Sequence, residues 1–212
     1  MSFFLKWFQI LFASAALICF QAAAQENPRV SLKTDLGIII VELYPEQAPL
    51  TVKNFLEYVD SKFYDGTIFH RVIPGFVAQG GGMNFEFVSK PTLDPIKNES
   101  FNGLKNEYKT LAMARTSDPD SATSQFFINL RPNTSLDAKG EKPGYAVFGK
   151  VIEGMDVVEK IVAEPRGMFR AYPDAPNYAV RILEATRFNK TKTGPDSSMK
   201  NKSVSDALVP KS

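Results

Sequence analysis

The chain holds one cysteine, Cys19, and one histidine, His70, in 212 residues. Each scarcity removes a class of chemistry. A lone cysteine can form no internal disulfide, so the fold must be held by its core, which this length permits. A lone histidine argues against a His-rich metal centre, and any histidine-dependent triad would have to pass through His70. No Gly-Lys-Ser/Thr follows Gly80-Gly81-Gly82 and no helix start is evident there. These glycines therefore read as a turn in which backbones approach closely, not as a phosphate cradle. Asp118, Asp120 and Asp137 lack calcium-loop spacing, so no metal and no cofactor is assigned. Charge of one sign is also missing. Lys and Arg number 25 against 23 Asp and Glu, and no basic stripe crosses the body of the chain. That speaks against a nucleic-acid partner.

Two segments differ from the rest. Lys6 precedes an almost wholly apolar run from Trp7 to Phe20, and Ala22-Ala23-Ala24 follows. Residues 1–24 thus read as a secretory signal peptide cleaved after Ala24. The run is shorter than the roughly 20 residues a spanning helix needs, which favours cleavage over an anchor. Ala16-Leu17-Ile18 lacks the small residue expected before a lipidated cysteine, so Cys19 is not read as a lipid site. At the other end, residues 189–212 contain five lysines, two aspartates and no aromatic residue. Such a segment buries too little apolar area to offset ordering entropy and is expected to be a disordered polar tail.

Between them, residues 28–188 read as one domain. Val30 to Thr34 and Ile38 to Leu43 read as a hairpin about Asp35-Leu36-Gly37. Pro49 suits the first turn of a helix. Val52, Phe55, Leu56 and Val59 then make one buried stripe. Phe85 to Tyr108 reads as a long surface loop. Thr110–Arg115, Ser124–Leu130, Tyr145–Val151 and Val180–Thr186 read as strands, and Met155, Val158, Ile161 and Val162 mark a second helix. Many strands and two helices suggest a closed β-barrel capped by helices, with a two-sheet sandwich as the alternative.

The stretch from Phe69 to Gly81 combines a fixed positive charge, large apolar side chains, an amide and a glycine turn. It offers no nucleophile–base pair. Such a set can grip a neutral, partly apolar group and polarise it without a covalent bond to the protein. If Phe69 to Val72 is extended, His70 and Arg71 point to opposite faces. A lone arginine is usually a solvated surface residue, and a lone histidine on a strand is usually structural. In Ser124–Leu130, Phe126, Ile128 and Leu130 face one way, and Gln125, Phe127 and Asn129 the other. The second set suits a groove floor. By pattern alone, a second core beneath the helices suits Phe127 better.

Taken together, Phe69-His70-Arg71-Val72-Ile73-Pro74-Gly75-Phe76, Gln79-Gly80-Gly81, Leu111-Ala112-Met113-Ala114-Arg115, Ser121 to Asn129, Gly144 to Val151 and Gly154 to Val158 resemble the motifs of cyclophilin-type peptidyl-prolyl isomerases. The resemblance runs from about Arg29 to Phe188 and is strongest to bacterial periplasmic members. It implies a closed eight-stranded antiparallel barrel capped by two α-helices, with the active groove on an outer face. By matching position it implies Arg71 as the catalytic arginine. Phe76, Val77, Phe127 and Leu136 become the proline pocket, and Gln79 and Gln125 orient the peptide. Ala114 and Arg115 lie along the groove and offer backbone hydrogen bonds. Tyr145 stands where many members have histidine, and Val77 where a longer methionine is frequent. Ser135 replaces a bulky aromatic, and Lys109 replaces a glycine. The implied partners are proline-containing unfolded or partly folded polypeptides. The implied setting is export to the bacterial periplasm, as a monomer without stable membrane insertion after signal cleavage. A non-catalytic chaperone using the same groove is the alternative, and a lectin-like or structural barrel a third reading.

Overall fold

The computed structural model describes residues 26–169 and 172–188. The signal segment 1–24 and the tail 189–212 lie outside them. The first hairpin forms as its pattern predicts, with β1 at Arg29–Thr34 and β2 at Gly37–Leu43. Thr34 closes the turn: its hydroxyl donates to the Gly37 carbonyl at 2.8 Å and accepts from the Leu36 amide at 3.1 Å. Alternation sends Val30, Leu32, Ile39, Val41 and Leu43 inward, all fully buried.

Helix α1 spans Pro49–Asp60 with proline in its first turn. Ala48 supplies no side-chain cap. The free amides are met from a distant loop instead, where Glu99 accepts from Leu50 N at 3.0 Å and Thr51 N at 2.8 Å. A carboxylate there satisfies orphan donors and complements the helix dipole. The predicted stripe Val52, Phe55, Leu56 and Val59 is buried. The second helix, α2, spans Met155–Ala163 and enters through Gly154 at φ +83. A side chain on Gly154 would meet the Ile38 carbonyl at 2.2 Å, so the chain can pass only as glycine.

The remaining strands are β3 (Arg71–Ile73), β4 (Val77–Gly80), β5 (Thr110–Met113), β6 (Phe126–Asn129), β7 (Val147–Glu153), β8 (Arg166–Phe169), β9 (Tyr172–Pro176) and β10 (Ile182–Arg187). Eight of the ten strands form one antiparallel sheet in the order β10-β1-β2-β7-β5-β6-β4-β3. The expectation of a closed barrel needs correction. The sheet curls into a half-barrel, and its edge strands β10 and β3 share no ladder. The seam is crossed at the start of β10 and just before β3, where Ile182 N donates to Thr67 O at 2.7 Å and Phe69 N to Val180 O at 3.0 Å. Strands β8 and β9 form a separate hairpin in a stretch that carried no strand expectation. The predicted surface loop 85–108 contains no helix or named strand, but it is pinned rather than loose. Asn106 and Ser100 within it are buried, and the Leu93 amide donates to the Tyr58 hydroxyl at 2.9 Å.

Both helices and the inner face of the sheet share one core. At its centre Phe55, Tyr64, Phe126 and Phe148 pack ring to ring, with Phe55 and Phe126 edge-on at 5.6 Å. Edge-on aromatic pairs add about 0.5–1.5 kcal/mol beyond their area burial. Because the inner face is filled in this way, polar chemistry is left to the outer face.

Candidate active site

Register assembles the outer face. Arg71 on β3 is directly opposite Gln79 on β4. Gln79 is opposite Phe127 on β6, Phe127 is opposite Ala112 on β5, and Ala112 is opposite Val147 on β7. Residues paired across strands point to the same side, so one row crosses five strands. Period 2 adds Val77 beside Gln79, and Gln125 beside Phe127. Val77, Ala112, Ala114, Phe127 and Val147 form a small apolar cluster separate from the main core, with Phe76, Leu136 and Tyr145 against it. Phe127 therefore floors an outer pocket rather than a second core beneath the helices.

Above this cluster is a cavity of about 400 Å³ lined by Arg71, Phe76, Val77, Gln79, Ala114, Arg115, Phe127, Leu136 and Tyr145. These are nine of the ten residues singled out from the sequence. The tenth, Gln125, sits one hydrogen bond away: Gln79 Nε2 donates to Gln125 Oε1 at 3.0 Å. Arg71 Nη1 donates in turn to Gln79 Oε1 at 3.4 Å. The glycine run serves this line of side chains. Gly81 turns at φ +81. A side-chain carbon on Gly82 would lie 2.4 Å from Gln125 Cγ, so the absence of one leaves room for the Gln125 amide.

The walls are braced from behind. Asn129, Asn106 and Asn133 are all buried. Asn133 Nδ2 donates to Asn129 Oδ1 at 2.7 Å and to the Phe76 carbonyl at 3.1 Å. Asn129 Nδ2 donates to Asn106 Oδ1 at 3.1 Å, and Asn106 N donates to Asp137 Oδ1 at 2.8 Å. The network ties the Phe76 turn to the short 3-10 turn Thr134–Leu136 that carries Leu136. Buried amides that satisfy one another fix a single geometry. On the opposite wall the Arg115 guanidinium lies 4.6 Å from the Tyr145 ring centre, and Tyr145 meets Phe127 edge-on at 5.6 Å. Arg115 also donates to the carbonyls of Gly144, Pro143 and Thr116. Its side chain is thus committed to holding Tyr145 and the 143–144 backbone.

The backbone groups of Ala114 are not equally available. The Ala114 amide already donates to the Gln125 carbonyl at 2.9 Å, so it is not free to bind a peptide. Ser135 is exposed beside Leu136, which leaves that part of the rim open. His70 is 4 % exposed, with Nδ1 lacking a hydrogen-bond partner. Burial, chiefly, lowers its pKa from 6.5 to about 4. The arrangement therefore presents one part-exposed cation, a hydrogen-bonded amide pair and an apolar pocket. Among the described residues no three His, Cys, Asp or Glu side chains converge as a metal site.

Two residues near the site carried no sequence expectation. Arg131 lies 6.0 Å from the Phe76 ring centre. Asp174 reaches Arg71 from the β8–β9 hairpin, with Oδ2 3.5 Å from Nε. Only the hairpin alternation of 166–176 could have signalled Asp174, and Gly167, Pro173 and Pro176 interrupt it.

Comparison with known proteins agrees with this geometry. Residues 29–187 match the family model described as cyclophilin type peptidyl-prolyl cis-trans isomerase/CLD. A peptidyl-prolyl cis-trans isomerase of Acinetobacter baylyi is 54% identical over 162 residues, covering 76% of this chain and 86% of that protein. Peptidyl-prolyl cis-trans isomerase B of Escherichia coli is 49% identical over 160 residues, covering 74% and 98%. Among solved structures, a Cryptosporidium parvum cyclophilin type peptidyl-prolyl cis-trans isomerase determined in the presence of the dipeptide Ala-Pro superposes with a TM-score of 0.63. It is 27% identical, with 76% of this chain and 99% of that chain covered.

Proposed function

The chain belongs to the cyclophilin-type peptidyl-prolyl cis-trans isomerases, and we propose that it turns X–Pro bonds in exported polypeptides, assisting their folding in the bacterial periplasm. The observation that carries the catalytic assignment is the cavity itself, which sets Arg71 beside an apolar pocket walled by Phe76, Val77, Phe127 and Leu136.

The barrier to rotation is about 18–20 kcal/mol because amide resonance is lost at the twisted geometry. There the proline nitrogen regains a lone pair. The Arg71 guanidinium hydrogen-bonds to that nitrogen, or holds the carbonyl, only while this charge distribution exists. Such binding is selective for the transition state and needs no acid or base. The apolar pocket anchors the ring as the preceding carbonyl swings, and Gln79 with Gln125 orients the chain. Raising a rate from about 10⁻² s⁻¹ to about 10³ s⁻¹ means lowering the barrier by roughly 7 kcal/mol. One arginine does not account for all of that, so positioning supplies the rest. An isomerisation assay on a short X–Pro peptide tests the assignment. Peptide binding without acceleration would instead favour a chaperone that uses the groove passively.

Export rests on Lys6, the apolar run Trp7–Phe20 and Ala22-Ala23-Ala24. We expect mass spectrometry of the exported protein to find a mature chain starting at Gln25. A membrane-bound species retaining residues 1–24 would replace this reading with an anchor. The mature protein is read as a monomer with no stable membrane insertion. The lysine-bearing segment 189–212 is read as solvated. Deleting it is therefore expected to leave peptide turnover unchanged and stability within about 0.5 kcal/mol. A loss of more than about 1 kcal/mol in chemical denaturation would show that it docks on the domain.

A further inference from the structure

The β8–β9 hairpin forms no ladder with the eight-stranded sheet, yet β9 packs along β3, the strand that carries Arg71. It brings Asp174 to the catalytic side of the molecule. Asp174 Oδ2 lies 3.5 Å from Arg71 Nε, while Gln79 Oε1 accepts from Arg71 Nη1 at 3.4 Å. Two acceptors on separate elements thus hold two different nitrogens of one planar group. A guanidinium has five N–H donors in a fixed fork. With Nε facing the Asp174 carboxylate and one Nη1 hydrogen engaged by Gln79, the Nη2 edge is left for a ligand in the groove. We propose that Asp174 is a positioning residue for the isomerisation, fixing the plane and reach of the Arg71 guanidinium without touching the substrate. The proposal rests on the reading of Arg71 as the catalytic cation.

Two effects of the carboxylate compete. Its negative charge weakens the pull of Arg71 on the twisting amide. Its close ion pair with Nε restrains a long side chain that otherwise spreads over many rotamers. The side chains are 41% and 34% exposed, so water screens the charge effect strongly. The 3.5 Å contact is screened less than the longer path from Asp174 to the twisting amide, and misplacement of a reacting group is costly to turnover. Positioning therefore dominates.

The test compares Asp174→Asn with the unmodified protein in steady-state isomerisation of a short X–Pro peptide. The substitution keeps shape and removes charge on a partly exposed hairpin, and melting temperature checks that the fold is kept. Turnover, kcat, is expected to fall about threefold to fivefold, the scale of a partly exposed ion pair, with KM unchanged. The Arg71→Ala protein supplies the second arm. In that background Asp174→Asn is expected to have no further effect, because the group it positions is gone. A rate for Asp174→Asn equal to or above the unmodified protein overturns the proposal, since charge weakening would then dominate. An equal loss in both backgrounds also overturns it, since Asp174 would then act through the fold. Failure of the underlying reading looks different: Arg71→Ala itself would turn over normally.

Discussion

Replacing Arg71 with alanine lowers kcat/KM for a short X–Pro peptide by about 10²–10³-fold, and leaves the melting temperature almost unchanged. The size follows from what the side chain supplies. A donor aimed at charge that develops only in the transition state is typically worth that factor when removed. Arg71 is the cation that joins Gln79 and Asp174 at the pocket wall. The other guanidinium lining the cavity, Arg115, is committed to backbone carbonyls and to the Tyr145 ring, so it cannot swing in as a substitute. The effect on stability is small because the side chain is 41% exposed and its ion pair is screened. The loss should appear in kcat more than in KM, since Phe76, Val77, Phe127 and Leu136 still bind the proline ring in both ground and transition states. Arg71→Lys keeps the charge but loses the planar fork, and is expected to recover only part of the activity. Unchanged turnover in Arg71→Ala would remove the mechanism and leave pocket positioning as the whole of catalysis.

Local pattern made parts of this molecule legible and tertiary contact hid the rest. Alternation in Ser124–Leu130 put Phe126 and Ile128 on one side and Phe127 on the other, as they are found, but favoured a second core for Phe127, which instead floors the cavity, and grouped with it Asn129, which is fully buried. That sorting needs only period 2 and says nothing of which outer residues meet. The row from Arg71 through Gln79 and Phe127 to Val147 depends on strand register across five strands, which no local signal carries. The family resemblance brought those residues together where pattern alone could not. Closure of the barrel was overstated because strand count does not report whether the two edge strands share a ladder. The β8–β9 hairpin was hidden by Pro173, Pro176 and Gly167, which break the alternation expected of a strand. With it went Asp174. Lys109, where a glycine is frequent in the family, gains a physical meaning only from the backbone: it sits at φ +74, the left-handed region that glycine enters without strain. Its amide and carbonyl both engage neighbouring strands, through Asn129 and Val151, which hold it there.

Stability of the folded domain falls on the order of 3 kcal/mol as pH drops from about 6.5 to about 4, and His70→Gln abolishes most of that slope. The motif places His70 next to Arg71, but buried, only 4 % exposed. Burial is the main cause of its lowered pKa; the Ile68 backbone opposes the shift, the Arg71 guanidinium adds to it and Gln125 opposes it. The folded protein accepts a proton there only near pH 4, whereas the unfolded chain does so near 6.5. Between those values the unfolded state binds more protons than the folded one. The stabilisation from a neutral His70 is therefore complete above pH 6.5 and is lost as pH falls toward 4. The interval is unusually clean in this chain. His70 is its only histidine. Asp35, Asp60, Asp120 and Asp156 are held below the usual carboxylate value chiefly by hydrogen bonds with Arg181, Arg187, Lys97 and Lys160, so the larger part of their contribution is lost as pH falls through and below about 3.8. Chemical denaturation at intervals across pH 4 to pH 7 measures the slope directly. A midpoint that stays constant over that range would mean that the folded interior accepts the proton, with a partner for Nδ1. Protonation would then set a second positive charge directly behind Arg71, and the same pH series should show turnover falling in step. With His70 kept neutral by its surroundings, the prediction is the reverse: peptide turnover by the folded protein stays flat from pH 7 to pH 5 while its margin of stability declines.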